Sequence, residues 1–353
     1  MKKNIRILLY PTKTTGENRY LNNLYNTIKD SYEVTGFDEI KKNKDYFKYD
    51  IYHFNRIEWM GGGGIIKQKM TYLKKKVFIY VLKLLNKKIV RTVHNNTSHD
   101  KDKQEIGINF MKFMAKKSDK IHILCTQTLQ NDFLRPYKDK IVIIPHGDYI
   151  GNYPYANIKI YNRYNIPTNK KIVLFVGQVR KYKNIELLIN AFKESKLEEN
   201  DFVLLICWKL YNQDYGEELK NLSNENIYFD FNFIKDSEME AYLRQSQIIA
   251  APYNKISSLN SGPLRMAMSY KKTMMLPLIW CVKDIKNYED FLYIYDYNKE
   301  EHYEKLLECT LKLKSDYIKN ENVLKVKGEM AYNAICNQSR KTQKENRINL
   351  YKF

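Results

Sequence analysis

Lys171-Ile172-Val173-Leu174-Phe175-Val176-Gly177-Gln178-Val179-Arg180-Lys181-Tyr182-Lys183-Asn184 decides the fold of this chain. An apolar, partly β-branched run reads as a short buried strand, and Gly177 lets the backbone turn out of it. The basic turn then leads into a helix, so the stretch is a β-α unit. Arg180 and Lys183 fall where a phosphate bound at a helix start would lie. A solvated basic turn is the competing reading.

The same alternation runs outward in both directions. Upstream, the apolar segments Ile5–Tyr10, Asp50–Phe54, Lys88–His94, Lys120–Cys125 and Lys140–Pro145 read as strands, and a polar stretch rich in Tyr and Asn (147–169) interrupts the series. Downstream follow strands Phe202–Trp208 and Asn226–Phe229, a helix Ser237–Gln245, a strand Ile248–Ala251 and a helix from Pro263. A Lys/Glu-rich helical tail from about Lys299 closes the chain. Short apolar strands alternating with helices predict an α/β protein of two Rossmann-like, doubly wound parallel sheets facing a central cleft, one in residues 1–155 and one in 156–334. In open sheets of this kind ligands bind beyond the carboxyl ends of the strands, so the loops that follow strands carry the chemistry.

Composition narrows the possibilities. The chain has 353 residues and a net charge of +20, and residues 1–150 hold 29 Lys+Arg against 15 Asp+Glu. A basic half suits nucleic acid, an anionic membrane surface or phosphorylated small molecules. Nucleic acid is disfavoured, because the chain lacks an RNP-like aromatic motif, zinc-finger spacing and a compact basic helix-turn-helix. No apolar run approaches the ~20 residues that cross a bilayer. The short apolar start, without a small-residue cleavage site, disfavours secretion. The five cysteines are odd in number, scattered and never in CxxC, which fits reduced thiols in a cytoplasmic compartment.

Four loops stand out. The first, Thr14-Thr15-Gly16-Glu17-Asn18-Arg19-Tyr20, holds one glycine, lacks GxGxxG, and disfavours a dinucleotide fold; no Walker A sequence occurs either. His94-Asn95-Asn96-Thr97-Ser98-His99-Asp100 places hydrogen-bonding and proton-exchanging groups at a strand end. The third is the basic turn already quoted. The fourth, Ala251 to Leu264, ends in Asn260-Ser261-Gly262-Pro263, where Pro263 at the first helical position would leave Asn260, Ser261 and Gly262 as a cap with unpaired N–H groups. Two phosphate cradles on one sheet suggest a diphosphate ligand. Separately, Gly61-Gly62-Gly63-Gly64 precedes a segment of apolar residues and lysines up to Leu85. A membrane-surface helix would look like this, but the preferred reading is a domain helix packed on the sheet with its lysines in solvent.

Taken in order, His94-Asn95 with His99-Asp100, Ile144-Pro145-His146-Gly147, Phe175 to Asn184, and Ala251-Pro252-Tyr253 with Asn260-Ser261-Gly262 resemble bacterial glycosyltransferases of the GT-B fold, family-4-like, which build capsular, exopolysaccharide or lipopolysaccharide chains. The resemblance implies an N-terminal acceptor domain, a C-terminal nucleotide-sugar domain, and a last helix, 335–353, crossing back to the first domain. It implies that Arg180, Lys183, Ser261 and Gly262 hold the donor diphosphate, and that Gly177, Tyr253, Asn260 and His146 meet the nucleotide or sugar. His94, His99 and Asp100 would be catalytic, and Gly16, Glu17, Asn18 and Tyr20 would line the acceptor side. The donor implied is a nucleotide-diphosphate sugar, UDP-sugar before GDP-sugar. The acceptor implied is a lipid-linked saccharide at the inner leaflet, with the basic N-terminal half on the membrane surface.

The expected activity is metal-independent hexosyl transfer without a cofactor, since Arg180, Lys183 and helix amides could stabilise the leaving diphosphate. If configuration inverts, Asp100 is the candidate base. One departure is plain: where such enzymes carry two glutamates eight positions apart, this chain has Ser258 and Met266. That departure motivates an alternative, a catalytically silent GT-B subunit bound to an active partner. A sugar phosphorylase is disfavoured by length and by the lack of a candidate cofactor lysine.

Overall fold

The structure is a computed structural model that describes residues 5–14, 19–40, 45–58, 60–61, 63–94, 104–255 and 258–353. Among the described residues it holds twelve strands in two six-stranded sheets, all paired in parallel. The first sheet contains β1 (Arg6–Tyr10), β2 (Glu33–Gly36), β3 (Ile51–Phe54), β4 (Lys88–Val93), β5 (Lys120–Ile123) and β6 (Ile141–Ile143), in the order β2-β1-β3-β4-β5-β6. The second contains β7 (Lys171–Val176), β8 (Phe202–Cys207), β9 (Ile227–Asp230), β10 (Ile248–Ala250), β11 (Thr273–Pro277) and β12 (Tyr293–Tyr295), in the order β12-β11-β10-β7-β8-β9. Both are α/β sheets, and the inner strands β4, β7 and β8 are buried almost throughout, as parallel strands covered on both faces must be.

The chain divides into two compact units, the first comprising described residues of 1–147, 256–260 and 338–353, the second 148–255 and 261–337. The first boundary falls earlier than residue 155, because the segment after Asp148 is tied to the second unit by its amides. Tyr149 N–H donates to Ser269 Oγ (2.8 Å), Tyr153 N–H to the Tyr270 hydroxyl (3.0 Å) and Ala156 N–H to Glu240 Oε2 (3.1 Å). The tail after about Lys299 is three helices, His302–Lys319, Val323–Cys336 and Lys344–Asn349. Leu350 and Tyr351 are buried in the first unit with Ile7, Leu9, Leu21 and Leu24.

A buried polar chain links the strands of the first unit. Tyr351 OH meets His53 Nδ1 (2.7 Å), His53 Nε2 meets Thr92 Oγ1 (2.7 Å), Thr92 Oγ1 meets His122 Nδ1 (3.0 Å), and His122 Nε2 meets the Ile144 carbonyl (2.9 Å). The carbonyl only accepts, so His122 Nε2 carries the proton and every earlier link follows. Tyr351 donates to His53, His53 to Thr92 and Thr92 to His122. Burial holds both imidazoles neutral, His53 well below its ordinary pKa and His122 down to about 4.

Candidate active site

Strand order locates the site in the second unit. The chain runs from β7 outward to β8 and β9, then returns to the other side of β7 to lay down β10, β11 and β12. The loops leaving β7 and β10 therefore diverge, and the crevice at such a reversal is where α/β sheets bind ligands. The two loops are Gly177–Asn184 and the one opening with Ala251-Pro252-Tyr253. Asn184, in the left-handed region at φ 54°, ties them together, its Nδ2 donating to the Pro252 carbonyl at 3.0 Å.

The loop leaving β7 carries two cations, Arg180 and Lys183. The Arg180 guanidinium lies over the Tyr211 ring at 3.8 Å, and its buried Nε has no hydrogen-bond partner. Lys183 Nζ lies 4.2 Å from the centre of the Tyr253 ring. Burial, and then the Arg180 charge, push Lys183 down to about 8. Among the described residues neither cation is paired with a carboxylate, whereas Lys181 on the same turn binds Glu218 at 2.5 Å. The fold thus supplies a counter-charge to the outward lysine and withholds one from the inward pair. At Gly177, with φ +156°, nothing stands within 4 Å of where a Cβ would be, so the backbone itself is approachable.

Tyr253 joins the cations to the helix Gly262–Ser269. Its hydroxyl lies 3.3 Å from Ser261 Oγ, and that oxygen caps the helix by accepting the Leu264 N–H at 3.0 Å. Pro263 lacks an N–H and Arg265 N–H is bonded to the Ser261 carbonyl; among the described residues no hydrogen bond engages the amides of Ser261 and Gly262. The set is narrower than a cap of three residues: Asn260 groups with the first unit, where its Nδ2 donates to the His94 carbonyl at 3.3 Å. The Tyr253 loop is held from behind by Tyr297, whose hydroxyl donates to the Tyr253 carbonyl (3.1 Å) and accepts the Lys255 N–H (3.0 Å). Tyr297 in turn stacks flat on His302, with ring centres 3.9 Å apart.

The first unit gathers the other candidates. His94 follows β4, with its ring edge-on to Tyr20 (4.9 Å), and Tyr20 also contacts His146 (5.1 Å). Burial, then Arg56 and three nearby histidines, hold His94 well below its ordinary pKa. Its Nε2 is buried with no partner. A neutral imidazole with one open nitrogen can orient a hydroxyl but cannot donate as an imidazolium. His146, like Asn260, belongs to this unit, whereas the donor-side candidates Gly177 and Tyr253 belong to the second. Gly16, Glu17, Asn18, His99 and Asp100 lie outside the described residues.

Sequence reading passed over Tyr211 and Tyr297 and gave Asn184, though within the quoted turn, no role of its own. The available signal was positional: Trp208-Lys209-Leu210-Tyr211 also follows a buried strand, β8. Trp208 adopts φ 135°, rare for a residue with a side chain.

Residues 157–262 match the family model described as glycosyl transferases group 1. Among solved structures, HepE of Anabaena, crystallised with UDP-glucose, aligns over 98% of this chain and 98% of its own at TM-score 0.71 and 12% identity. Sucrose-phosphate synthase from Thermosynechococcus elongatus aligns over 99% and 98% at TM-score 0.72 and 11% identity. A glycosyltransferase from Rickettsia africae aligns over 99% and 98% at TM-score 0.64 and 16% identity. No curated protein matches the chain. The likeness to these structures shows the GT-B fold, and together with the family match it supports a glycosyltransferase.

Proposed function

We propose that this GT-B glycosyltransferase moves a hexose from a nucleotide-diphosphate sugar, a UDP-sugar before a GDP-sugar, to a lipid-linked saccharide on the inner face of the cytoplasmic membrane, in surface polysaccharide synthesis. The observation that carries the donor side is the pair Arg180 and Lys183, two cations that no carboxylate among the described residues pairs with, joined through Tyr253 to Ser261 and the start of the helix Gly262–Ser269. A diphosphate supplies the charge this arrangement lacks. UDP-glucose in the crystal of HepE, a protein of the same fold, supports the choice of nucleotide.

Cleaving the sugar–phosphate bond leaves negative charge on the diphosphate. In this reading Arg180, Lys183 and the amides of Ser261 and Gly262 stabilise that charge without a metal. The guanidinium, braced on Tyr211, presents donors in a fixed plane, while Lys183 acts as a point charge on a stem held against Tyr253. His94, neutral and with Nε2 open, orients a sugar hydroxyl. In a retaining reaction the departing phosphate oxygen takes the acceptor proton; in an inverting one Asp100 takes it.

The test is a thermal-shift titration with UDP, GDP, UDP-glucose and GDP-mannose, followed by a transfer assay with a polyprenyl-diphosphate-linked sugar. UDP or its sugar should raise the melting temperature of the wild type and not of Arg180→Ala, because a ligand of the folded state stabilises by mass action. No shift with any nucleotide would turn the reading to the silent subunit.

A further inference from the structure

The helix Ile65–Leu84 has two contrasting sides, one packed inward and one carrying an exposed apolar stripe. One, through Gln68, Tyr72, Lys75, Ile79 and Leu82, turns inward, with Ile79 and Leu82 fully buried among Tyr52, Phe54 and Phe110. The other is Ile66, Met70, Leu73, Val77, Tyr80 and Leu84, spaced four, three, four, three and four residues apart. Its members are exposed by 74, 54, 62, 53, 44 and 85%. A helix packed on a sheet ordinarily sets polar side chains on its outer face. Here the helix packs on the sheet and sets lysines in solvent, as expected, and between those lysines it also exposes an apolar stripe.

We infer that this outer stripe seats the protein on an anionic lipid surface, with the helix lying flat and Ile66, Met70, Leu73, Val77 and Leu84 entering the headgroup boundary. The inference deepens the acceptor side of the proposed function and rests on it only for its purpose. Charge selects the occupant. Between Glu58 and Asp100 the sequence contains no carboxylate, and Lys67, Lys69, Lys74 and Lys76 flank the stripe on both sides. A second copy of the chain would set lysine against lysine whether the helices ran parallel or antiparallel. A sheet of negative headgroups neutralises both flanks together, and an apolar stripe bordered by lysines is the form of a helix that lies in the membrane interface.

The test uses the full chain and sedimentation with vesicles of phosphatidylcholine alone or of equimolar phosphatidylcholine and phosphatidylglycerol. The wild type should bind the anionic vesicles, release them as salt rises, and ignore the neutral ones. Leu73→Glu with Val77→Glu should lower binding about tenfold or more, since it sets charge into the interface, while UDP-induced stabilisation stays intact. Both positions are exposed, so the fold survives the change. Leu311→Glu with Ile318→Glu, on exposed apolar residues of another helix, is the control and should bind as wild type. Three results would overturn the inference: wild type that leaves both vesicles, a Leu73/Val77 variant that binds as before, or a wild-type dimer that the variant dissolves without lipid. An acidic helical protein that binds the stripe while vesicles do not would overturn it too. Vesicle binding without any nucleotide response would sink the glycosyl-transfer reading and leave this one standing.

Discussion

Replacing Lys183 with methionine should make the empty protein more stable while removing its hold on a nucleoside diphosphate. Burial and Arg180 lower the ammonium from 10.5 to about 8, and a difference of that size between folded and unfolded chain costs on the order of 3 kcal/mol at neutral pH. The Tyr253 ring at 4.2 Å returns part of this, roughly 1–2 kcal/mol for a desolvated cation–π contact. Methionine keeps the apolar stem and carries no charge, so the net gain is roughly 1–2 kcal/mol, or about 1–3 °C in Tm for a chain of this length. The pH dependence gives a second handle. Between about 8 and 10.5 the folded wild type binds fewer protons than the unfolded chain, so its stability rises with pH across that window, and the variant's does not. Donor affinity runs the other way, because deprotonated Lys183 neutralises no phosphate. Calorimetry of both proteins from neutral to alkaline pH, with and without UDP, reads both slopes. A variant that melts below wild type when empty, yet is still stabilised by UDP, would refute the reasoning.

Other outcomes follow from single contacts. Arg180→Lys should recover only part of the donor affinity lost in Arg180→Ala, since the planar guanidinium stacked at 3.8 Å on Tyr211 has no ammonium equivalent; UDP titration calorimetry reads this. Ser261→Ala should cost about 1 kcal/mol in urea unfolding through loss of the cap on Leu264, and Ser261→Gly only a few tenths. Thr92→Val should cost roughly 2–4 kcal/mol, leaving the His53 donor and the His122 acceptor buried and unmatched. His122, neutral when folded, should make stability fall as pH drops from 6.5 toward about 4, where the unfolded chain takes up a proton that the folded one refuses. Gly328→Ala should loosen the helix Val323–Cys336, because the new methyl would stand 2.1 Å from the Lys271 carbonyl oxygen, and thermal melting reads the loss.

What could be read in the residues alone follows the strength of the pattern. Strands β1, β3 and β4 to β10 announce themselves by β-branched runs closed by polar turns. Three strands did not. β11 is Thr-Met-Met-Leu-Pro, poor in β-branched residues and ended by a proline; β2 and β12 are edge strands of four and three residues. Edge strands need satisfy neighbours on one side only, so their sequences are weakly constrained. The turn at Gly177 and the cap at Ser261 ahead of Pro263 were legible because turn chemistry and helix capping are local. The ring beneath Arg180 and the Tyr297–His302 stack behind Tyr253 are set by packing across distant segments, which no spacing reveals. The outer stripe of Ile65–Leu84 was visible as composition, but only the packing of the opposite side shows which apolar residues remain outside.

The way Leu350 and Tyr351 complete the first unit bears on how the protein is made. Their side chains fill the space beside Ile7, Leu9 and Leu24, and Tyr351 supplies the first proton of the chain that ends on Ile144. A ribosome that has finished the first six strands must translate about two hundred more residues before these two emerge, a delay on the order of twenty seconds at typical rates of synthesis. During that interval the β1 side of the early core lacks its final covering, while all the strands of the second sheet have already appeared. The half that is synthesised first is therefore the half that closes last.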